Sequence, residues 1–198
     1  DRVVVLSRAT ELRALEGGVD RRRLLRIRAA TRAPAPPTPV ELELVRREHA
    51  LSTDRFVVCF PGDLEHGDGA DLLLEACARA RRRPELLLVM ACRAKTSRSW
   101  ERRVQLSERA AQAGVDTRWV GETKSIHALL AASDLVALPT NTLYAKVDHP
   151  IVLLEAMHLG RPVLVTEGTA AFELAEDGGA LGSPHEAAAL AAVLDDLV

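Results

Sequence analysis

The sequence predicts an α/β fold in which helices cover both faces of a doubly wound parallel sheet. Short apolar runs alternate with helical segments from Phe56 onward in this 198-residue chain, and such alternation is typical of parallel βαβ units. The runs are continuously apolar, as expected where helices cover both faces of a strand. Strands are expected at 56–60, 86–90, 117–120, 135–138 and 163–166. Helices are expected at 70–82, 100–113, 125–132, 151–159, 170–175 and 186–197.

The best candidate for a domain boundary is a proline-rich stretch at residues 31–39. It contains four prolines within six residues, and proline is excluded from helix interiors and central strands. A helix is expected to follow at 40–51. We therefore expect three parts: the end of a preceding domain at 1–33, a proline-rich linker and helix at 34–54, and a second domain at 55–198.

The N-terminal part begins in a strand. Residues 3–6 and 24–29 read as strands, with a short helix between them at 10–15. Because the first residue is Asp1 and the strand follows at once, we expect this chain to be a fragment of a longer protein.

Composition excludes several classes of protein. The net charge of −2 gives no reason to expect nucleic acid or an anionic membrane as partner. No apolar run reaches the roughly 18 residues of a membrane-spanning helix. The three cysteines lie in apolar runs without metal-ligand spacing, so we expect buried thiols in a reducing, cytoplasmic compartment. The preference for Arg over Lys is typical of GC-rich bacterial genomes.

Ligands of such a sheet bind beyond the carboxyl ends of the strands. The loop after the strand at 56–60 contains Gly67 and Gly69, but the third glycine of a dinucleotide fingerprint would fall at Leu72, so that motif fails. A calcium loop fails too, because its fifth position is Gly67. The loop is either a tight turn or a place where backbone approaches a ligand. Arg93 and Lys95 follow the next strand, where they either meet a phosphate or are solvated.

The loop at 139–150 is the longest at this edge and leads into a helix that begins at Ile151. The free amides and partial positive charge of a helix N-terminus form an anion site. Glu155 lies one turn into the helix, where a carboxylate either accepts hydrogen bonds from ribose hydroxyls or is solvated.

From Phe56 to the end, the sequence resembles the C-terminal domain of group 1 glycosyltransferases, the retaining GT-B enzymes related to glycogen synthase. Residues 148–163, DHPIVLLEAMHLGRPV, are similar to the family segment E-G-F-G-x-x-x-L-E-A-M-A-x-G-x-P-V. Residues 133–140, SDLVALPT, resemble A-D-x-x-x-x-P-S, and WVG at 119–121 resembles F-x-G. Residues in register with G-R-L-x-x-x-K-G-x-D-x-x-x-x-A are Gly62, Leu64, Gly69, Asp71 and Ala76.

The resemblance implies a site for a nucleoside-diphosphate sugar, such as a UDP- or GDP-sugar, that needs neither a metal nor another cofactor. Glu155 matches the second acid of the family's E-x7-E motif, which holds the ribose. The backbone of residues 149–151 would lie near the sugar and the diphosphate, and the residues around Val120 near the base. Residues 3–29 resemble the last βαβ unit of the N-terminal domain, which carries the acceptor site and would be the missing partner.

The sequence departs from the family at positions that carry charge. The first acid of E-x7-E falls on Val147, and Asp148 is its candidate replacement. Asp63 and Asp68 stand where the family has an arginine and a lysine that stabilise the leaving diphosphate, so Arg93 and Lys95 become the candidate cations. The candidate catalytic residues are Glu155, Asp148, Arg93 and Lys95; the candidate donor-binding residues are Gly62, Asp63, Val120, Gly121, Thr140, His149, Pro150, Ile151 and Glu155.

Three functions follow from these observations. The first is the donor-binding part of an active glycosyltransferase, inactive alone, in a cytoplasmic protein whose missing half makes any contact with the inner membrane. The second is a non-catalytic binding or scaffolding paralogue, because expected site chemistry is missing. The third is an unrelated epimerase or dehydrogenase of similar fold, against which the failed glycine fingerprint argues.

Overall fold

The computed structural model describes residues 1–142 and 147–198. Its strands are β1 (Val3–Val5), β2 (Leu24–Arg26), β3 (Phe56–Phe60), β4 (Leu86–Met90), β5 (Thr117–Trp119), β6 (Leu135–Leu138), β7 (Val163–Thr166) and β8 (Leu181–Ser183). Its helices are α1 (Arg8–Glu16), α2 (Pro39–Glu48), α3 (Gly69–Arg79), α4 (Ser97–Ala113), α5 (Ile126–Ala131), α6 (Ile151–His158), α7 (Glu173–Glu176) and α8 (Ala187–Leu197).

Six strands form the main sheet, in the order β5-β4-β3-β6-β7-β8. All of their pairings are parallel, which confirms the predicted α/β fold. The chain lays down β3, β4 and β5 towards one edge and then returns to place β6 on the other side of β3. The strand order therefore reverses between β3 and β6, and in open α/β sheets the ligand crevice lies at this point.

The core is built on the central strands. All residues of β4, β6 and β7 are buried, and Phe56 is the one partly exposed residue of β3. Each fully buried Leu or Val side chain contributes roughly 1.5–3 kcal/mol. Burial on both faces explains why these strands are continuously apolar in the sequence.

Strands β1 and β2 form a separate two-stranded parallel sheet, with α1 as the connection between them. Several of its apolar side chains face solvent, since Val4, Leu25 and Ile27 are exposed. Strand β2 ends at Arg26, three residues before the predicted end. The predicted boundaries at residues 33 and 54 stay predictions.

The proline-rich stretch leads into α2, which begins at Pro39. The Thr38 side chain accepts a hydrogen bond from the backbone of Glu41, whose side chain accepts one from the Thr38 backbone. This capping box, with proline in the first turn, starts the helix.

The end of α3 was predicted wrongly. The helix ends at Arg79 and Ala80 is extended, whereas the sequence pattern continues to residue 82. The reason is tertiary: the Asp195 carboxylate on α8 accepts hydrogen bonds from the backbone N–H groups of Arg81 and Arg82, at 3.2 and 2.9 Å. The Asp195 carboxylate thus accepts hydrogen bonds from two backbone amides that a longer α3 would have bonded within the helix.

The C-terminal part contains a strand that the sequence analysis missed. Strand β8 extends the sheet beyond β7, but its residues Leu181 and Gly182 are exposed, so no apolar run marks it. The predicted helix at 170–175 is a 3-10 turn at Ala170–Phe172 followed by α7.

Candidate functional site

The loops after β3 and β6 meet at the point where the strand order reverses. A Cβ atom on Gly69 would lie 3.1 Å from the Pro139 carbonyl oxygen and 3.3 Å from the Thr140 Cβ. A Cβ on Gly67, whose φ is +78°, would lie 2.7 Å from the Thr140 Oγ1. The glycines therefore allow the two loops to pack directly against each other, and Thr140 is buried between them.

Gly62 is required by packing within its own loop. A Cβ at Gly62 would lie 2.1 Å from the ring of Phe60, the last residue of β3. The glycine predicted from the family pattern thus has a local steric reason to be there.

Helix α6 begins at Ile151, as predicted; its N-cap is Pro150, and no described side chain caps it. The amides of Leu153 and Leu154 bond to the Pro150 carbonyl, at 3.0 and 3.4 Å. The amides of Ile151 and Val152 belong to the group that has no partner within a helix. The helix therefore offers backbone donors and the positive end of its dipole beyond the carboxyl end of β6.

Glu155 lies four residues after Ile151 and has a neighbour that the sequence analysis did not name. The His127 Nε2 on α5 lies 3.3 Å from the Glu155 Oε1, and the Glu155 side chain is 21% exposed. The contact engages one carboxylate oxygen. His127 also lines a groove of about 820 Å³ between the proline-rich stretch, α2 and α5.

Arg93 and Lys95, the predicted cations, each contact a carboxylate. The Lys95 Nζ lies 3.6 Å from the Asp63 Oδ2, and the Arg93 guanidinium donates to the Glu122 Oε1 at 3.2 Å. Asp63 also accepts hydrogen bonds from two backbone amides of its own loop. Lys95 thus offsets the acid that stands in the family's arginine position.

Asp68 contacts side chains from two other loops. Its Oδ2 lies 2.9 Å from the His185 Nε2 and accepts a hydrogen bond from the Asn141 side-chain amide at 3.1 Å. The Asp68 Oδ1 and the His185 Nδ1 are buried without a hydrogen-bond partner among the described residues. Asp68, which stands where the family has a lysine, is therefore held by His185, which follows β8.

Asp148, the candidate for the missing first acid, contacts the N-terminal part of the chain. Its Oδ2 accepts hydrogen bonds from the hydroxyls of Ser7 and Thr10, both at 2.6 Å. Ser7 is the N-cap of α1 and is fully buried. One oxygen of Asp148 is therefore already engaged twice.

His149 and Glu173 extend this contact. The backbone N–H of Ala9 donates to the Glu173 Oε1 at 3.1 Å, and the His149 Nε2 lies 3.9 Å from the Glu173 Oε2. His149 is 3% exposed, so its imidazole packs inside the structure. Helix α1 is thus held by two carboxylates at its N-terminus, where its dipole favours them.

The remaining predicted residues lie at the same edge. Val120 and Gly121 follow β5, with Gly121 at φ +70° and nothing within 4 Å of its would-be Cβ. Val147, which stands in the first acid position, is 43% exposed. Parallel strands place the loops carrying all these residues beyond their carboxyl ends, but no hydrogen bond joins Val120 or Gly121 to Glu155 among the described residues.

The described residues contain no group of His, Cys, Asp and Glu side chains arranged to hold a metal ion. None of the described helices has the length and hydropathy that crossing a membrane requires.

Several solved structures of glycosyltransferases share this architecture. HepE of Anabaena, in complex with UDP and glucose, matches with a TM-score of 0.84 and 21% identity over 98% of this chain and 53% of that chain. A glycosyltransferase of Rickettsia africae matches with a TM-score of 0.86 and 20% identity, over 100% of this chain and 53% of that chain. WaaG, a glycosyltransferase of lipopolysaccharide biosynthesis, matches with a TM-score of 0.74 and 19% identity, over 99% of this chain and 53% of that chain. The chain therefore spans about half the length of these structures and has the fold of a GT-B C-terminal domain.

The chain belongs to the group 1 glycosyltransferases. The sequence profile of that family, described as glycosyl transferases group 1, matches residues 43–198. The family resemblance seen in the sequence is thereby confirmed. No curated protein matches the sequence.

The sequence analysis missed the residues that hold the site from elsewhere in the chain. Ser7, Thr10 and Glu173 fix the loop before α6, and His127 contacts Glu155. The one available signal was Ser7 followed by a helix, which is an N-cap pattern. The hydrogen bond from Ser7 to Asp148, 141 residues away, could not be predicted from the local sequence.

Proposed function

We propose that this chain is the part of a glycosyltransferase that binds the nucleoside-diphosphate sugar, and that transfer is retaining and independent of metal ions. The observation that carries the proposal is the start of α6. The helix presents uncapped amides where the strand order reverses, with Glu155 one turn further on. A diphosphate suits the amides, and ribose hydroxyls suit the carboxylate.

The contact with His127 supports the role of Glu155. If the imidazole donates to the Oε1, it fixes the carboxylate and leaves the Oε2 to accept hydrogen bonds from a ribose. A fixed acceptor binds more strongly, because less side-chain freedom is lost on binding.

The charges of the loop after β3 fit a diphosphate once their neighbours are included. Asp63 and Asp68 alone repel an anion, but the ammonium group of Lys95 lies against Asp63, and Asp68 is held by hydrogen-bonding contacts with Asn141 and His185. Arg93, beside Glu122, is exposed at the same edge. We therefore keep Arg93 and Lys95 as donor-site residues, with Lys95 offsetting the charge of Asp63.

The second half of the proposed enzyme comprises an N-terminal domain with the acceptor site, of which residues 1–33 are the end. The separate β1–β2 sheet supports this division. HepE, whose structure contains UDP and glucose, is about twice as long. We place the protein in the bacterial cytoplasm, and its net charge of −2 gives no reason to expect nucleic acid as a partner.

A non-catalytic paralogue is the second candidate, and one observation favours it. Val147 replaces the first acid, while the carboxylate of Asp148 is held by Ser7 and Thr10. A protein of this kind binds a nucleotide sugar without transferring the sugar.

Calorimetric titration of the chain with UDP, GDP and ADP tests the binding proposal. A ligand at 100 times its Kd also adds about 2.7 kcal/mol to the free energy of unfolding, which a thermal melt detects. Glu155→Gln should weaken the best nucleotide about tenfold, since a hydrogen bond to a charged group contributes about 1.5–3 kcal/mol. The matched control is Glu108→Gln on the exposed side of α4, which should leave Kd unchanged.

If no nucleotide binds the wild-type chain, the binding proposal is wrong. If nucleotides bind but Glu155→Gln and Glu108→Gln have the same Kd, the ribose is held by other residues. Donor hydrolysis or transfer by the full-length protein separates the enzyme from the paralogue.

A further inference from the structure

A small cavity lies where α1 meets the loops after β6 and β7. Its volume is about 220 Å³, and its lining comprises Arg13, Asn141, Thr142, Asp148 and residues 168–170. All of these except Arg13 belong to loops at the carboxyl edge of the main sheet. The cavity therefore adjoins the proposed donor site and has one wall from the N-terminal part of the chain.

Helix α1 is fixed in this position by hydrogen bonds. Ser7 and Thr10 donate to the carboxylate of Asp148, and the amide of Ala9 donates to Glu173. Residues three apart share a face of a helix, so Arg13 lies on the same face as Thr10. The contacts that hold the helix also direct Arg13 towards the cavity.

Arg13 differs from the other cations near the site in its charge environment. Arg93 and Lys95 lie against Glu122 and Asp63, whereas Arg13 has no carboxylate within ion-pair distance among the described residues. Glu11, two residues before Arg13 on α1, is paired with Arg21 and Arg26 instead. The charge of Arg13 is available to a ligand.

We propose that Arg13 binds the phosphate groups of the donor. The proposal rests on the proposed function, because it takes the ligand to be a nucleoside diphosphate. A guanidinium presents two parallel N–H donors that match two phosphate oxygens. Arg13 then supplies, from α1, positive charge that Asp63 and Asp68 remove from the loop after β3.

This role makes the donor site depend on both parts of the chain. The main sheet contributes the amides of α6 and the carboxylate of Glu155, and α1 contributes the cation. Asp148 joins the main-sheet part of the site to α1, since it precedes α6 and accepts hydrogen bonds from Ser7 and Thr10.

The test compares Arg13→Gln with Arg8→Gln by calorimetric titration of the 198-residue chain. Both substitutions remove one exposed arginine from α1, but residues five apart face different directions on a helix, and Arg8 is outside the cavity lining. The probes are UDP, GDP and ADP, each with its monophosphate. Melting temperatures of both variants check that the fold is retained.

Arg13→Gln should raise the Kd of the best diphosphate about tenfold, as for a lost charged hydrogen bond. Its effect on the monophosphate should be smaller, and Arg8→Gln should shift neither Kd by more than about twofold. Arg13→Lys, which keeps the charge but loses the paired donors, should fall between the wild type and Arg13→Gln.

Equal Kd values for Arg13→Gln and Arg8→Gln would overturn the role of Arg13 while the proposed function stands. An equal loss for mono- and diphosphate would overturn the assignment to the diphosphate. Absence of binding by the wild-type chain would refute the proposed function itself, and the role of Arg13 with it.

Discussion

A single methyl group added at Gly67 should disturb the packing between the two loops that meet at the candidate site. Its φ of +78° lies in the left-handed region, which costs a residue with a Cβ roughly 1–2 kcal/mol. The methyl group of Gly67→Ala would also lie 2.7 Å from the Thr140 Oγ1. The Thr140 side chain must therefore move and give up its hydrogen bond to the Thr142 carbonyl, 2.9 Å long, at a cost of about 1 kcal/mol.

The two costs together predict a loss of about 2–3 kcal/mol in the free energy of unfolding. For a chain of this length, each kcal/mol lowers the melting temperature by roughly 2–4 °C, so we expect a decrease of about 4–12 °C. Calorimetry or circular dichroism measures this directly. Nucleotide affinity should decrease as well, because Thr140 lies in the loop that leads to α6.

The control is Gly178→Ala, which isolates the backbone cost. Gly178 has nearly the same φ, +79°, but no atom lies within 4 Å of its would-be Cβ. The double variant Gly67→Ala/Thr140→Ala removes the clashing hydroxyl and should be less destabilised than the sum of its two single variants. If Gly67→Ala and Gly178→Ala melt at the same temperature, the close packing of the two loops contributes nothing and our reasoning is wrong.

Two other predictions concern stability and reactivity. Hydrogen bonds, first of all from the Arg82 backbone N–H, hold the pKa of Asp195 below its ordinary value of 3.8. Its ionised form therefore stabilises the fold above that pH and ceases to do so as pH falls through the lowered pKa. Asp195→Asn should cost about 1–3 kcal/mol at pH 7 and flatten the acid limb of a stability-against-pH curve; an unchanged limb would contradict this. Burial raises the pKa of Cys59 and Cys77 to about 12. Iodoacetamide should label neither thiol at pH 8 until the chain is unfolded in urea, and rapid labelling of the native chain would show that they are accessible.

The central strands could be predicted from the sequence because burial on both faces leaves an unbroken apolar run. The same rule failed for β8, where Leu181 and Gly182 are exposed and the pairing with β7 determines the strand. It failed again at the end of α3, since the interaction with Asp195 comes from a helix more than 100 residues later. Elements were predictable where their own residues determine them, and not where a distant partner does.

The same distinction applies to the candidate site. Residues such as Gly62 and Glu155 stand in local patterns, so the sequence could name them as candidates. The partners of the charged residues did not follow from any pattern, because Lys95 reaches Asp63 and His185 reaches Asp68 only through the folding of the sheet. The sequence named Arg93 and Lys95 as candidate cations, but only the fold shows that Lys95 lies against Asp63 and His185 against Asp68.

Asp148 has a structural contact that its place beside the motif does not indicate. In the sequence it is the acid nearest to the vacant first position of E-x7-E, and on that ground it is a catalytic candidate. In the fold its Oδ2 accepts hydrogen bonds from Ser7 and Thr10, so the carboxylate holds α1 against the loop that leads to α6. Charge and geometry in the site are thus coupled: the contact that occupies Asp148 is the one that brings Arg13 to the cavity. A change at Asp148 should therefore act through α1 as much as through any loss of an acid, and transfer chemistry is better sought in residues that face a bound donor.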